Sequence, residues 1–357
     1  MECRLVKVGE LIDFVASDTF NDYQIIPISK HRAISQAANP RADSEDIALI
    51  VFFEEQQPIA YLGIVPDEIG LDGMKMKVGI LSGLFVHEKY RGRGLAKKMV
   101  ETSMQYYTYI LGFDSSSEAF SLYKNMEEVQ TSHLEGKRYF FKMMSHKWFA
   151  RQKKPFKILK SILKSFDDIV NKFIKFPTSD FETGNITLQA VLVHQIDFTQ
   201  YNIGRSKELF SRRSDEFLWI ASFPWIIPER EKLDKYYFSA HDVDFISQWY
   251  QVNVNHKEIA HVMITIREGV MKISYLFTNS KDWQAISYAI LLLVSQFKST
   301  TLVCFVESVN NILGANPKAY LLKKSTMRTV MSIGIKDVKD LITSYQIHNG
   351  DADGVFT

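Results

Sequence analysis

The chain has 357 residues, with 43 Lys/Arg against 41 Asp/Glu and a formal net charge of +2. That length calls for two domains of roughly 150 residues each, and so even a charge balance leaves no broad basic field for nucleic acid. Only two cysteines, Cys3 and Cys304, stand nearly at opposite ends, which excludes a disulfide framework or a cysteine zinc site and suits a reducing, cytoplasmic setting.

In chain order, residues 3–8 read as a strand and 9–17 as a helix with apolar periodicity. Residues 47–53 and 58–64 flank Glu54-Glu55-Gln56-Gln57, the pattern of a hairpin. Residues 77–86 form a further strand that runs into His87-Glu88-Lys89-Tyr90-Arg91-Gly92-Arg93-Gly94, a polar turn and glycine-rich loop opening into a helix at Leu95. The first N–H groups of a helix lack intrahelical partners and carry the positive end of its dipole. Glycines let an anion approach that backbone, so a phosphate or pyrophosphate is expected here. A P-loop is excluded because Leu95-Ala96 follows Gly94 where Lys-Ser/Thr belongs, and the dinucleotide fingerprint fails at Lys97. A strand at 107–113 comes next, then a helix from Ser115-Ser116-Ser117 to Met126. Its serines supply N-cap oxygens, and Ala119, Leu122 and Tyr123 share one face. A closing strand is expected at 138–143.

Arg91-x-x-Gly94-x-Ala96, set straight after a strand ending Leu84-Phe85-Val86, resembles the coenzyme A-binding motif of the Gcn5-related N-acetyltransferase (GNAT) superfamily. The step Ala119-x-x-Leu122-Tyr123, 29 residues further on, resembles its second motif. The likeness by motif covers about residues 45–130. It implies an α+β fold with a mixed, mostly antiparallel central sheet flanked by helices, and acetyl-CoA as co-substrate. The backbone of Arg91, Gly92, Arg93, Gly94, Leu95 and Ala96 would hold the pyrophosphate. Leu84, Phe85 and Val86 would offer main-chain groups to the pantetheine arm, and Tyr123 would protonate the departing thiolate. The implied reaction is direct transfer of an acetyl group to a primary amine on a small molecule or protein, with no metal. The chain departs from the family at Glu127-Glu128, where Gly-Phe is usual, and at Ser116, where asparagine is common. Glu54, Glu55, Glu68, His87, Glu88 or a water chain all stand as the base. A CoA-binding regulatory module that transfers nothing is the alternative.

Residues 150–176 change character: Phe156, Leu159, Leu163, Phe166, Val170 and Phe173 recur every three or four residues among lysines, the pattern of a basic amphipathic helix. A linker helix packed on its apolar stripe is the first reading, and docking on an anionic membrane surface the second. Beyond it, strands at 185–193, 245–252, 258–266, 272–277 and 301–306 and helices at 205–210, 283–297 and 315–323 repeat the order of the first half. A second, degenerate GNAT-like copy is therefore expected. It has no glycine between Gly269 and Gly314, so the pyrophosphate loop is missing. Arg212 to Trp219, with Pro224 and Pro228 after it, reads as a surface loop or a packed segment. The expected division is a catalytic domain at 1–148, a linker helix at 149–180, the degenerate copy at 181–347 and a tail at 348–357.

Overall fold

A computed structural model describes residues 1–114, 116–145, 157–173, 185–201, 207–229, 235–238, 240–335 and 337–356. Its strands are β1 (Glu2–Lys7), β2 (Ile47–Glu54), β3 (Gln57–Leu71), β4 (Met74–Val86), β5 (Ile110–Phe113) and β6 (Val129–Phe140), followed by β7 (Ile186–Val191), β8 (Ile246–Val254), β9 (Lys257–Arg267), β10 (Val270–Thr278), β11 (Thr301–Cys304) and β12 (Leu322–Ile333). Two compact units interleave along the chain: one holds 1–134, 192–245 and 328–357, the other 135–191 and 246–327.

In the first unit the strand order is β1-β2-β3-β4-β5-β12. All neighbours run antiparallel except β4 and β5, which are parallel. From Leu49 to Phe53, period-two alternation divides β2 between the two faces. Leu49, Val51 and Phe53 pack with the helices Leu11–Ala16 and Lys30–Ala37, whereas Ile50 and Phe52 pack with Met99 and Val100 of the Leu95–Ser103 helix. A sheet covered on both faces needs apolar residues at every position, and β2 reads Ile-Ala-Leu-Ile-Val-Phe-Phe for that reason.

The second unit repeats the pattern as β7-β8-β9-β10-β11-β6, again with one parallel pair, β10 and β11. The Trp283–Gln296 helix packs on its sheet through Ile286, Ala289, Ile290 and Leu293. Each sheet thus closes with a strand supplied from the other half of the sequence: Val330 to Ile333 pair with β5, and Lys137 to Phe140 pair with β11. The units consequently do not follow the expected cuts at 148 and 181, and the expected tail at 348–356 belongs to the first unit, with Asp351, Val355 and Phe356 buried.

Two expected helices differ. Residues 207–210 are not helical, because the Leu209 N–H donates to Gln346 O (3.0 Å) and its carbonyl accepts from Gly70 N–H (2.8 Å); residues 202–206 lie outside the described residues. The helix expected at 315–323 lies earlier, at Glu307–Ala315, and ends where Pro317 starts a short 3-10 turn before β12. The Arg212 segment is packed: its residues open the Ser214–Ser222 helix, which buries Glu216, Phe217, Trp219 and Ile220. The closing strand of the first half starts earlier than expected, at Val129.

Candidate active site

The site grows from one irregularity in β4. Leu62 pairs with Leu84 and Gly63 with Ser82, which leaves Gly83 unpaired as a bulge at φ +85°. Only glycine adopts that conformation without cost. A side chain at Gly63 would meet the Ser82 carbonyl at 2.3 Å, so close strand approach demands the second glycine as well. Pairing between β4 and β5 stops at Leu81 and Gly112. Past the bulge, Leu84, Phe85 and Val86 are half-buried, and their backbone has no described strand partner on the β5 side.

The glycine loop lies at the end of β4. Gly92 and Gly94 adopt φ +78° and +76°, and a Cβ at either would meet nothing within 4 Å. These glycines serve backbone shape and open approach rather than packing. Gly94 caps the Leu95–Ser103 helix without a side-chain hydrogen bond, and the first helical bond runs from Lys98 N–H to Gly94 O. The N–H groups of Leu95, Ala96 and Lys97 are therefore left for an anion. Arg91 Nε donates to Val86 O (3.2 Å), while Arg93 lies 5.0 Å above the Tyr90 ring.

The second unit presents the opposite chemistry. Its Trp283–Gln296 helix is capped by Asp282, whose carboxylate accepts from Ala285 N–H at 2.9 Å. A carboxylate already fills the place an incoming phosphate would need.

A cavity of about 740 Å³ joins these features, all of its walls belonging to the first unit. Leu84, Phe85, Val86, Arg91, Gly92, Gly94, Leu95, Ala96 and Tyr123 line it; Arg93 does not. Open amides at the 92–96 turn, together with Arg91 and Lys97, fit a pyrophosphate. Tyr123 is 3% exposed, and burial pushes its phenol well above the ordinary tyrosine range, so it holds its proton at neutral pH. None of Glu54, Glu55, Glu68, His87 and Glu88 lines the cavity. Glu54 accepts from the Tyr90 hydroxyl, and His87 Nδ1 accepts from Lys89 N–H.

The other end of the cavity is built from distant sequence. Trp225, Tyr236, Tyr237, Phe238 and Phe356 supply aromatic walls, with Phe356 stacked on Trp225 at 4.4 Å and Tyr237 against Phe85 at 4.8 Å. Arg32, almost fully buried, lies 4.0 Å over the Trp225 ring and donates to Ser82 O (3.0 Å) and to the Tyr236 hydroxyl (3.2 Å). Asp353 enters here, and the Ser82 hydroxyl donates to its Oδ2. Arg328 fixes that segment, donating to His348 O (2.8 Å), Asp351 O (3.0 Å) and Asp114 Oδ2 (3.0 Å). Apart from Phe85, sequence reasoning missed these residues; a run of aromatics such as Tyr236-Tyr237-Phe238 is a weak local signal, and a lone aspartate is none. Among the described residues no group of three His, Cys, Asp or Glu is placed to hold a metal, and no helix is long and apolar enough to cross a membrane.

The sequence profile of the Acetyltransferase (GNAT) family matches residues 13–113. None of the curated proteins compared with the chain matches it. Among solved structures, Saccharomyces cerevisiae N-myristoyltransferase with bound myristoyl-CoA shares the fold in two crystal structures. One has a TM-score of 0.54 at 12% identity, covering 94% of this chain and 79% of that one. The other has a TM-score of 0.51 at 11% identity, covering 94% and 83%. A probable N-acyltransferase from Enterococcus faecalis V583 aligns over 93% of this chain and 72% of its own at 11% identity, with a TM-score of 0.49. Profile match, sheet order and glycine turn agree: residues 13–113 carry a GNAT-family domain, and the fold of the chain is a tandem of two GNAT-like sheets.

Proposed function

We propose that the chain transfers an acetyl group from acetyl-CoA directly onto a primary amine that has an apolar or aromatic body. The single observation that carries this reading is the continuous cavity with open loop amides at one end, Tyr123 on its wall and Asp353 among aromatic rings at the other. The 91–96 turn would grip the pyrophosphate, so that binding far from the reacting bond positions the thioester. Main-chain groups of Leu84 to Val86 would align the pantetheine arm and polarise the thioester carbonyl. An alkyl ammonium would bind against Asp353 and the ring of Tyr237. Asp353, or a water held by it, would take the ammonium proton. The amine nitrogen then attacks the carbonyl carbon, the C–S bond breaks, Tyr123 supplies the proton to the leaving sulfur, and the surplus proton on the amide nitrogen leaves through water and restores the Tyr123 phenol. The acid-capped helix of the second unit argues that only the first unit binds the nucleotide.

Thiol release from acetyl-CoA across a panel of aromatic, aliphatic and polar amines tests the proposal. Turnover with apolar amines, lost in Asp353→Asn and Tyr123→Phe, supports it. CoA binding by calorimetry without thiol release from any amine instead supports a regulatory CoA sensor.

A further inference from the structure

The Lys157–Phe173 helix turns the wrong face to water. Its anchored side is polar: Asp167 is fully buried and accepts from Ser145 Oγ, while Asn171 accepts from Met143 N–H (2.7 Å) and donates to Met143 O (3.0 Å). Ile162, Phe166 and Ile169, spaced i, i+4 and i+7, form one stripe and are 63%, 54% and 57% exposed. Of the stripe expected from sequence, Leu163 and Val170 are half-buried and Phe166 is exposed, while Phe156 lies outside the described residues. Asp168, two residues from Phe166, falls on the opposite side of the helix.

Charge decides what covers the stripe. Residues 136–166 hold ten Lys/Arg and no Asp/Glu, and Trp148 and Phe149 stand in the same run. An acid-free basic segment with an exposed Ile/Phe face is built for an anionic surface that also accepts apolar groups. Each lysine gains from the negative potential of such a surface, and aromatic rings favour the headgroup level. A second copy of this chain would bring the same positive charge and repel it. We infer that this helix docks the protein peripherally on an anionic lipid bilayer, with Ile162, Phe166 and Ile169 in the headgroup–acyl boundary.

Co-sedimentation of the full chain with vesicles tests this, comparing phosphatidylcholine alone with vesicles about one-third phosphatidylserine. The expected result is sedimentation only with the anionic vesicles, weakened by salt as the screening length falls from about 10 Å at 0.1 M to about 3 Å at 1 M. Ile162→Ser with Phe166→Ser and Ile169→Ser abolishes it. Lys153→Gln, Lys154→Gln, Lys157→Gln and Lys160→Gln weaken it by about fivefold per lysine. Ile162, Phe166 and Ile169 are not among the residues that line the cavity, so thiol release by the soluble serine variant stays unchanged and reports intact folding. Absence of anionic selectivity, or sedimentation indifferent to either set, overturns the inference. So does a lipid-free dimer that the serine variant dissociates, which would assign the stripe to a second copy.

Discussion

The Ser82 hydroxyl donates to Asp353 Oδ2 at 2.5 Å, joining the bulged end of β4 to a residue 271 positions later. This contact sets a carboxylate beside the point where β4 parts from β5. Asp353→Asn keeps the shape and removes the carboxylate proposed as base, so kcat falls about 10²–10⁴-fold, the usual worth of a positioned base. Acetyl-CoA affinity, measured by calorimetry, stays as it was. Ser82→Ala, which removes only the hydroxyl, costs less rate than Asp353→Asn.

Tyr123→Phe lowers kcat by about 10²-fold at unchanged acetyl-CoA affinity, as loss of a general acid does. Burial raises the phenol, so its protonated form persists through the working range. The pH–rate profile of the wild type therefore shows no fall below pH ~10 that Tyr123→Phe removes.

Buried tyrosines also set an alkaline limit on stability. Burial raises Tyr61, Tyr107 and Tyr123 alike, and Tyr107 donates to Ile47 O at 2.9 Å. Their protonated forms are favoured in the folded protein, so this contribution is whole below the unfolded value near 10 and is lost as pH rises through the folded values. Base titration should release tyrosinate absorbance together with the loss of circular dichroism. Ionisation of every tyrosine, the buried ones included, with intact dichroism would contradict it.

Gly94→Ala separates shape from packing at the loop. No atom lies within 4 Å of the new Cβ, but φ of +76° costs a non-glycine residue about 1–2 kcal/mol. Thermal melting should fall by about 2–4 °C per kcal/mol for a unit of this size. The acetyl-CoA Kd should rise about tenfold for each 1.4 kcal/mol lost at the turn.

A buried ion network holds the distant segments in the first unit. Arg41 bonds Asp67 (2.8 Å) and Glu216 (2.6 Å), and Arg212 bonds Asp67 (2.8 Å) and lies 3.9 Å from Asp351. Burial works against the charged form of Asp67, but Arg212 and then Arg41 outweigh it and hold the carboxyl below the ordinary range. That contribution is present above the unfolded value of about 3.9 and lost as pH falls through the folded one. At Asp351 burial dominates, and the carboxyl is raised; its share is whole below that unfolded value and lost as pH rises through the folded one. Arg212→Met leaves Asp67 with half its compensation, at a cost of about 3–5 kcal/mol near neutral pH. Urea midpoints should drop more at pH 7 than at pH 3, where protonation of Asp67 relieves the mutant.

Local features of the site were legible in sequence because their chemistry is local. A strand, two glycines at the required spacing and a helix start within 20 residues can be read without knowing the fold, and so can Tyr123 on an apolar helical face. The bulge at Gly83 was not, since its register depends on β3. Asp353, Trp225 and Tyr236 to Phe238 carry no periodic or spacing signal and reach the cavity through Arg32, Arg328 and the Arg212 network. The succession of strands and helices in both halves was legible from periodicity and turn residues. Which strand closes each sheet was not, because β6 and β12 have equally good patterns for either edge. The amphipathic period at 157–173 was clear, but which side docks depends on Asp167 and Asn171 finding partners at Ser145 and Met143.

The reciprocal loan of closing strands has a consequence for biosynthesis. β5 waits with a bare edge until translation reaches Val330, more than two hundred codons later, and the rings that wall the cavity emerge in the same interval. The unit that holds the cavity therefore cannot mature on the ribosome ahead of its companion. Splitting the gene at the midpoint would yield two sticky, half-finished sheets rather than one working enzyme and one spare.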